Sequence, residues 1–111
     1  MATHIEYFGM GAYRITSSEG KVILMDPYLN DNPASPVKVK DLERVDLICV
    51  THLAFDHLGD AVEIAQKFNC PVCCEAEVKY WLVNEGLPSD NALSMCWGLW
   101  FPGGSHSLIH G

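Results

Sequence analysis

The chain has 111 residues, 49% of them apolar, and carries 14 acidic against 7 basic side chains for a formal net charge of −7. This length fits one domain able to bury a core. So few Lys and Arg build no basic face, which excludes nucleic acid and anionic membranes as expected partners. The opening Met1-Ala2-Thr3-His4-Ile5-Glu6 lacks the basic and apolar regions of a signal peptide, and no apolar run reaches the length of a membrane span. A cytoplasmic protein is expected.

Ile5 to Phe8 alternates as a strand does, and Gly9-Met10-Gly11 turns the chain into a second strand, Ala12 to Thr16. Ser17-Ser18-Glu19-Gly20 turns it again into a third, Lys21 to Met25. Asp26 to Pro36 is rich in Asp, Asn and Pro and reads as a loop; Val37 to Glu43 has room for one helical turn. Asp46 to Val50 is a near-continuous apolar strand, as expected where both faces are covered. Gly59 to Phe68 has helical spacing, with Ala61, Ile64, Ala65 and Phe68 on one face and Asp60 in the first turn, where the helix dipole favours a carboxylate. Cys70 to Cys74 reads as the next strand. Ala76 to Asn84 reads as a second helix with Val78, Trp81 and Leu82 inward, stopped by Gly86 with Pro88 beyond. Antiparallel strands followed by strand-helix-strand-helix predict an α/β (α+β) fold with a mixed sheet and helices on one face, one half of an αββα sandwich. One domain over residues 1 to 111 is expected, with the apolar, aromatic tail from Asn91 to Gly111 outside this pattern.

The five cysteines, an odd number, argue against a disulfide framework. Cys70-Pro71-Val72-Cys73 contains a C-x-x-C spacing, but strand alternation sends its two thiols to opposite faces, and no second such pair completes a zinc site. Buried, inert thiols are expected.

The chemistry concentrates in Thr51-His52-Leu53-Ala54-Phe55-Asp56-His57-Leu58-Gly59-Asp60. Imidazoles and a carboxylate at the end of a buried strand, followed by Gly-Asp and a helix, form a layout that suits Zn, Mn or Fe. The other reading of the same residues is structural: Thr51 and His52 satisfying backbone groups and Asp56 as a helix N-cap.

This decade resembles the T-H-x-H-x-D-H-x-G-D signature of the metallo-β-lactamase superfamily, with Ala54 standing where the family has its second histidine. Upstream, Gly20 to Leu29, with Asp26-Pro27-Tyr28-Leu29 and then Asn32-Pro33, resembles the family strand ending in Asp, in the form found in the ascorbate-6-phosphate lactonase-like branch of metal-dependent hydrolases. The resemblance covers about residues 4 to 90.

It implies the N-terminal half of the αββα domain and a partly degenerate hydrolase acting at most weakly on an ester, lactone or phosphoester. Carried over, His52 and His106 would serve one metal, and Asp56 and His57 a second. Asp56 would also orient the attacking water, and Asp26 would hold the ligand loop in place. Ser105-His106-Ser107 matches the family's third ligand motif only in part, and His110 is either a ligand or a chance histidine. One divalent ion or none is the resulting expectation. The alternatives are a non-catalytic self-associating module, or a gene fragment whose residues from about Met95 are not family sequence. A sheet left bare on the face of Val22, Leu24, Ile48 and Val50 predicts an obligate homodimer burying over ~2,000 Å2, with Trp97 to Phe101 sealing the interface or swapping onto the partner.

Overall fold

The computed structural model describes residues 2–94. Six strands lie side by side in chain order: β1 (His4–Gly9), β2 (Ala12–Thr16), β3 (Val22–Met25), β4 (Leu47–Cys49), β5 (Val72–Cys74) and β6 (Ala92–Ser94). Short turns join β1 to β2 and β2 to β3, so those pairs are antiparallel. The remaining pairs are parallel, and parallel neighbours need a crossover. The β3–β4 crossover is the Asp-, Asn- and Pro-rich loop with one 3-10 turn at Val39–Asp41. Helices α1 (Phe55–Leu58) and α2 (Ala61–Phe68) lead to β5, and α3 (Ala76–Asn84) leads to β6. The expected mixed sheet with helices on one face is present.

The core lies under those helices. Leu24, Ile48, Val72 and Ala92 follow one another in register across four strands, each at most 1% exposed. They form one cluster with Ala61, Ile64 and Ala65 of α2 and Val78 and Leu82 of α3. Phe68 and Trp81 pack partly buried against that cluster.

This reverses the face expected to be bare. Leu24, Ile48 and Val50 are buried at 1%, 0% and 4% exposure, and Val22 is half-buried. The surface these helices leave uncovered is the opposite one, where Ile5 and Tyr7 are 66% and 60% exposed. The physical reason is that β3 and β4 are apolar on both faces, so alternation along them cannot say which side receives the helices.

Three further features depart from the expectation. The signature decade contains a helix of its own, α1. It starts at Ala54, which has an extended backbone and no side-chain cap, and His57 and Leu58 donate their N–H groups to the Ala54 carbonyl at 2.9 and 2.7 Å. Asp56 is therefore inside the helix and is not its N-cap. Next, Asp60 stands at the N-cap of α2 as expected but makes no side-chain capping bond there; its Oδ2 accepts the N–H groups of Leu29 and Asn30, both at 2.9 Å. Finally, β6 extends the sheet into the stretch assigned to the tail. Trp97 to Phe101, His106 and His110 lie outside the described residues.

Cys70 belongs to the helix-side cluster, whereas Cys73 pairs in register with Cys49 and is outside that cluster. The two C-x-x-C thiols thus stand on opposite faces. Burial pushes the thiols of Cys70 and Cys74 up to about 11.

Leu24→Ala should destabilise the protein by about 2–5 kcal/mol, the cost of a cavity in a core that cannot collapse. Tyr80→Ala, at a site 73% exposed on α3, should stay within about 0.5 kcal/mol. Urea unfolding measures both, and equal effects would contradict a core on the helix side.

Candidate functional site

The parallel pairing of β3 and β4 brings their C-terminal ends to one edge, and the chain leaves both strands there with its polar residues. At such an edge an open α/β sheet presents a crevice. Asp26 follows β3 and is 4% exposed. Its backbone has φ +44°, a left-handed conformation that a non-glycine residue holds only when its surroundings over-determine it. They do: its N–H donates to the Cys49 carbonyl at 2.8 Å and its own carbonyl accepts from Tyr28 N–H at 2.7 Å.

Three groups converge on the Asp26 carboxylate. Oδ1 accepts the Thr51 backbone N–H at 2.7 Å, and Oδ2 accepts the Thr51 hydroxyl at 2.7 Å. Oδ2 also lies 2.8 Å from His57 Nδ1. A carboxylate only accepts, so His57 carries a proton on Nδ1 and leaves Nε2 for other use. The same reasoning passes one residue further. Thr51 Oγ1 spends its proton on Asp26, and His52 Nδ1 lies 2.9 Å from that oxygen, so His52 donates from Nδ1. Both imidazoles therefore hold the tautomer with Nε2 free. Their ring centroids are 4.2 Å apart, and Asp56 Oδ1 stands 3.9 Å from His57 Nε2.

Two glycines make room for this arrangement. A Cβ on Gly11, in the β1–β2 turn, would meet His57 Cε1 at 2.6 Å and Nδ1 at 2.7 Å, so the turn closes directly over the His57–Asp26 pair. Gly59, at φ +51°, ends α1 against the loop after β3, where a Cβ would lie 2.5 Å from the Pro27 carbonyl oxygen. Asp60 N–H donates to that same oxygen at 2.9 Å.

Asp26, His52, Asp56 and His57, the residues the sequence pattern singles out, all lie at this edge. In the sequence Gly11 marks only a turn, and Thr51 only a motif match or a cap. A Gly-x-Gly turn facing a strand-end Asp was the available signal for Gly11; nothing in the sequence pointed to Thr51 as the link between Asp26 and His52. His4 stands exposed in β1, and His106 lies outside the described residues.

These donors can be tested against a metal ion. Ligand nitrogen and oxygen sit about 2.0–2.2 Å from zinc, so two donors on one ion lie up to roughly 4 Å apart. His57 Nε2 and Asp56 Oδ1 meet that limit at 3.9 Å. An imidazole whose Nδ1–H is held by a buried carboxylate is also the usual form of a metal-bound histidine. No third donor closes the set: among the described residues no group of three or more His, Cys, Asp or Glu converges as a metal site. At position 54 the side chain is a methyl group. The donors fit an ion in kind and tautomer, and as an incomplete set.

Comparison with known proteins identifies the family of the chain. The family model of the metallo-beta-lactamase superfamily matches residues 12–94. A UPF0173 metal-dependent hydrolase of Koribacter versatilis is 41% identical over 83 residues, covering 75% of this chain and 36% of that protein. A UPF0173 metal-dependent hydrolase of Rubrobacter xylanophilus is 35% identical over 92 residues, covering 83% and 38%. Among solved structures, Igni18, a metallo hydrolase from the hyperthermophilic archaeon Ignicoccus hospitalis, superposes with a TM-score of 0.74 at 27% identity, over 87% of this chain and 41% of that one. The chain thus spans 36–38% of the length of the two curated relatives.

Gly11→Ala should push His57 off Asp26 while the protein stays folded. In imidazole 15N spectra the Nδ1–H signal of His57 should then lose its hydrogen-bonded position. A Gly11→Ala protein with an unchanged His57 signal would contradict the close packing of the turn on this pair.

Proposed function

This chain belongs to the metallo-beta-lactamase superfamily, and we propose that it carries the strand-end portion of a metal-dependent hydrolase site. The observation that carries the proposal is that both imidazoles turn Nδ1 inward, His57 to the buried Asp26 at 2.8 Å and His52 to the Thr51 hydroxyl at 2.9 Å. The Asp56 carboxylate stands 3.9 Å from His57 Nε2 and the two imidazole rings lie 4.2 Å apart, so the donors gather at one edge of the sheet. The relatives' designation as metal-dependent hydrolases supports the same reading.

In this reading His57 and Asp56 would hold one divalent ion, Zn, Mn or Fe, and His52, whose ring centroid lies 4.2 Å from that of His57, would have to turn toward it to complete a third ligand. When bound, such an ion polarises a carbonyl or phosphoryl oxygen and acidifies water. Asp56 would also orient the attacking water. Asp26 keeps His57 in the competent tautomer and does not itself touch the substrate. His106 remains part of the proposal as a further ligand. The substrate class is an ester, lactone or phosphoester, as in the lactonase-like branch that Asp26-Pro27-Tyr28-Leu29 resembles. Turnover should be weak, because Ala54 supplies no ligand. The proposal includes a reducing cytoplasmic setting, supported by Cys49, Cys70, Cys73 and Cys74 standing as free thiols. Among the described residues no helix is long and apolar enough to cross a membrane.

A second reading has its own support. With no three donors converging among the described residues and a methyl group at position 54, the chain also suits a non-catalytic module that keeps the fold for self-association.

Bound metal after dialysis, measured by mass spectrometry, separates the two. The hydrolase reading predicts metal in the parent protein, its loss in the His52→Ala, Asp56→Ala double variant, and about 10–100-fold weaker binding in Asp26→Asn. It also predicts tighter binding in Ala54→His. Metal at buffer level in the parent, unchanged by either the double variant or Ala54→His, would favour the module.

A further inference from the structure

Three sulfur-bearing side chains stand in one row across the sheet. Register pairs Met25 of β3 with Cys49 of β4, and Cys49 with Cys73 of β5. The residues just before them, Leu24, Ile48 and Val72, face the helices and belong to the core. Strand alternation therefore sends all three sulfurs to the other face, the one those helices leave uncovered. Cys70 and Cys74 belong to the helix-side cluster and stand apart from the row.

Cys73 is 3% exposed, whereas Met25 and Cys49 are half-buried, so solvent reaches the row from β3 and β4. The two thiols act on each other. Hydrogen bonding with Cys49 lowers the Cys73 thiol from its ordinary value. The same bond, and burial after it, raise the Cys49 thiol.

Spacing and donor type decide what such a row can hold. Neighbouring strands lie about 4.7–4.9 Å apart. Sulfur ligands sit about 2.3 Å from an ion such as zinc, so two sulfurs on one ion lie up to roughly 4.6 Å apart. Side chains at paired positions of adjacent strands need only lean slightly together to share an ion. A disulfide asks for more, since it draws the two β carbons to about 3.5–4.5 Å. Among the described residues no group of three or more His, Cys, Asp or Glu converges, so no further thiolate, imidazole or carboxylate joins the two thiols. Structural zinc takes four ligands and an iron–sulfur cluster four thiolates. Two thiolates and a thioether, all soft donors and few in number, select Cu(I).

We propose that Met25, Cys49 and Cys73 form a sulfur-only site for one Cu(I) ion. Binding makes two copper–thiolate bonds and releases both thiol protons to solvent, with the Met25 thioether as a neutral third donor; no electron is transferred. The inference is independent of the hydrolase reading, because it uses none of Asp26, His52, Asp56 and His57.

Competition against the chromophoric chelator bicinchoninate, with the full reduced chain under nitrogen, reads this binding directly. The parent should withdraw one Cu(I) per chain. Cys49→Ser should abolish the uptake, and Met25→Leu should weaken it without abolishing it. Cys70→Ala, Cys74→Ala and Cys96→Ser together should leave it intact. So should His52→Ala with Asp56→Ala, which separates this site from the hydrolase one. Because Cys70 and Cys74 are buried and their replacement could unfold the chain, two further readouts use the unaltered protein. X-ray absorption at the copper edge should show sulfur neighbours and no nitrogen. Added Cu(I) should slow maleimide labelling of Cys49, located by mass spectrometry. No uptake by the parent, or uptake unaffected by Cys49→Ser, would overturn the proposal. So would a nitrogen neighbour on copper, or Cys49 labelling unchanged by Cu(I).

Discussion

The carboxylate of Asp26 is the group on which the candidate site depends. It is almost wholly buried, sits on a backbone conformation costing of order 1–3 kcal/mol, and takes hydrogen bonds from Thr51 twice and His57 once. Hydrogen bonds to a charged acceptor contribute about 1.5–3 kcal/mol each, so the three together offset the strain and the loss of water. The same bonds do chemical work. They join the end of β3 to the end of β4 and to α1, and they set the tautomer of both imidazoles. One buried group thereby positions three side chains that come from a separate strand end and helix.

The rest of the edge is braced around that carboxylate. Asp60 clasps the loop after β3 through Leu29 and Asn30 N–H, and its own N–H grips the Pro27 carbonyl. Gly59 allows α1 to end close enough for this clasp, and Gly11 lets the β1–β2 turn press onto His57. Asn32, fully buried, ties the same loop back to the carbonyls of Phe8, Gly9 and Tyr28. The ligand-bearing segment thus rests on loops that are hydrogen-bonded in several directions. That rigidity is what a preorganised site requires, and it persists although Ala54 contributes no donor.

Much of this was legible in the sequence, and the misses share a cause. Strand alternation and turn residues placed β1 to β5, and helical spacing placed α2 and α3, because each signal is local. The choice of helix-covered face was not local. Ile23 and Met25 are as apolar as Leu24, so only the packing of α2 and α3 decides it. Helix α1 was missed because four residues carry no periodicity, and β6 because Ala92–Ser94 has none of the β-branched enrichment of a strand. At the site, residue types revealed Asp26, His52, Asp56 and His57. The roles of Gly11 and Thr51 depend on contacts across many residues of chain, which no spacing rule encodes.

A double-mutant cycle on Asp26 and His57, read by urea unfolding, tests the central claim that the buried carboxylate and this imidazole act as one unit. Asp26→Asn and His57→Ala, singly and together, should show a coupling of about 1 kcal/mol or more, within the range for groups in direct hydrogen-bonded contact. Additivity to within about 0.3–0.5 kcal/mol would contradict the account, since two independent groups would not hold one another's orientation or tautomer.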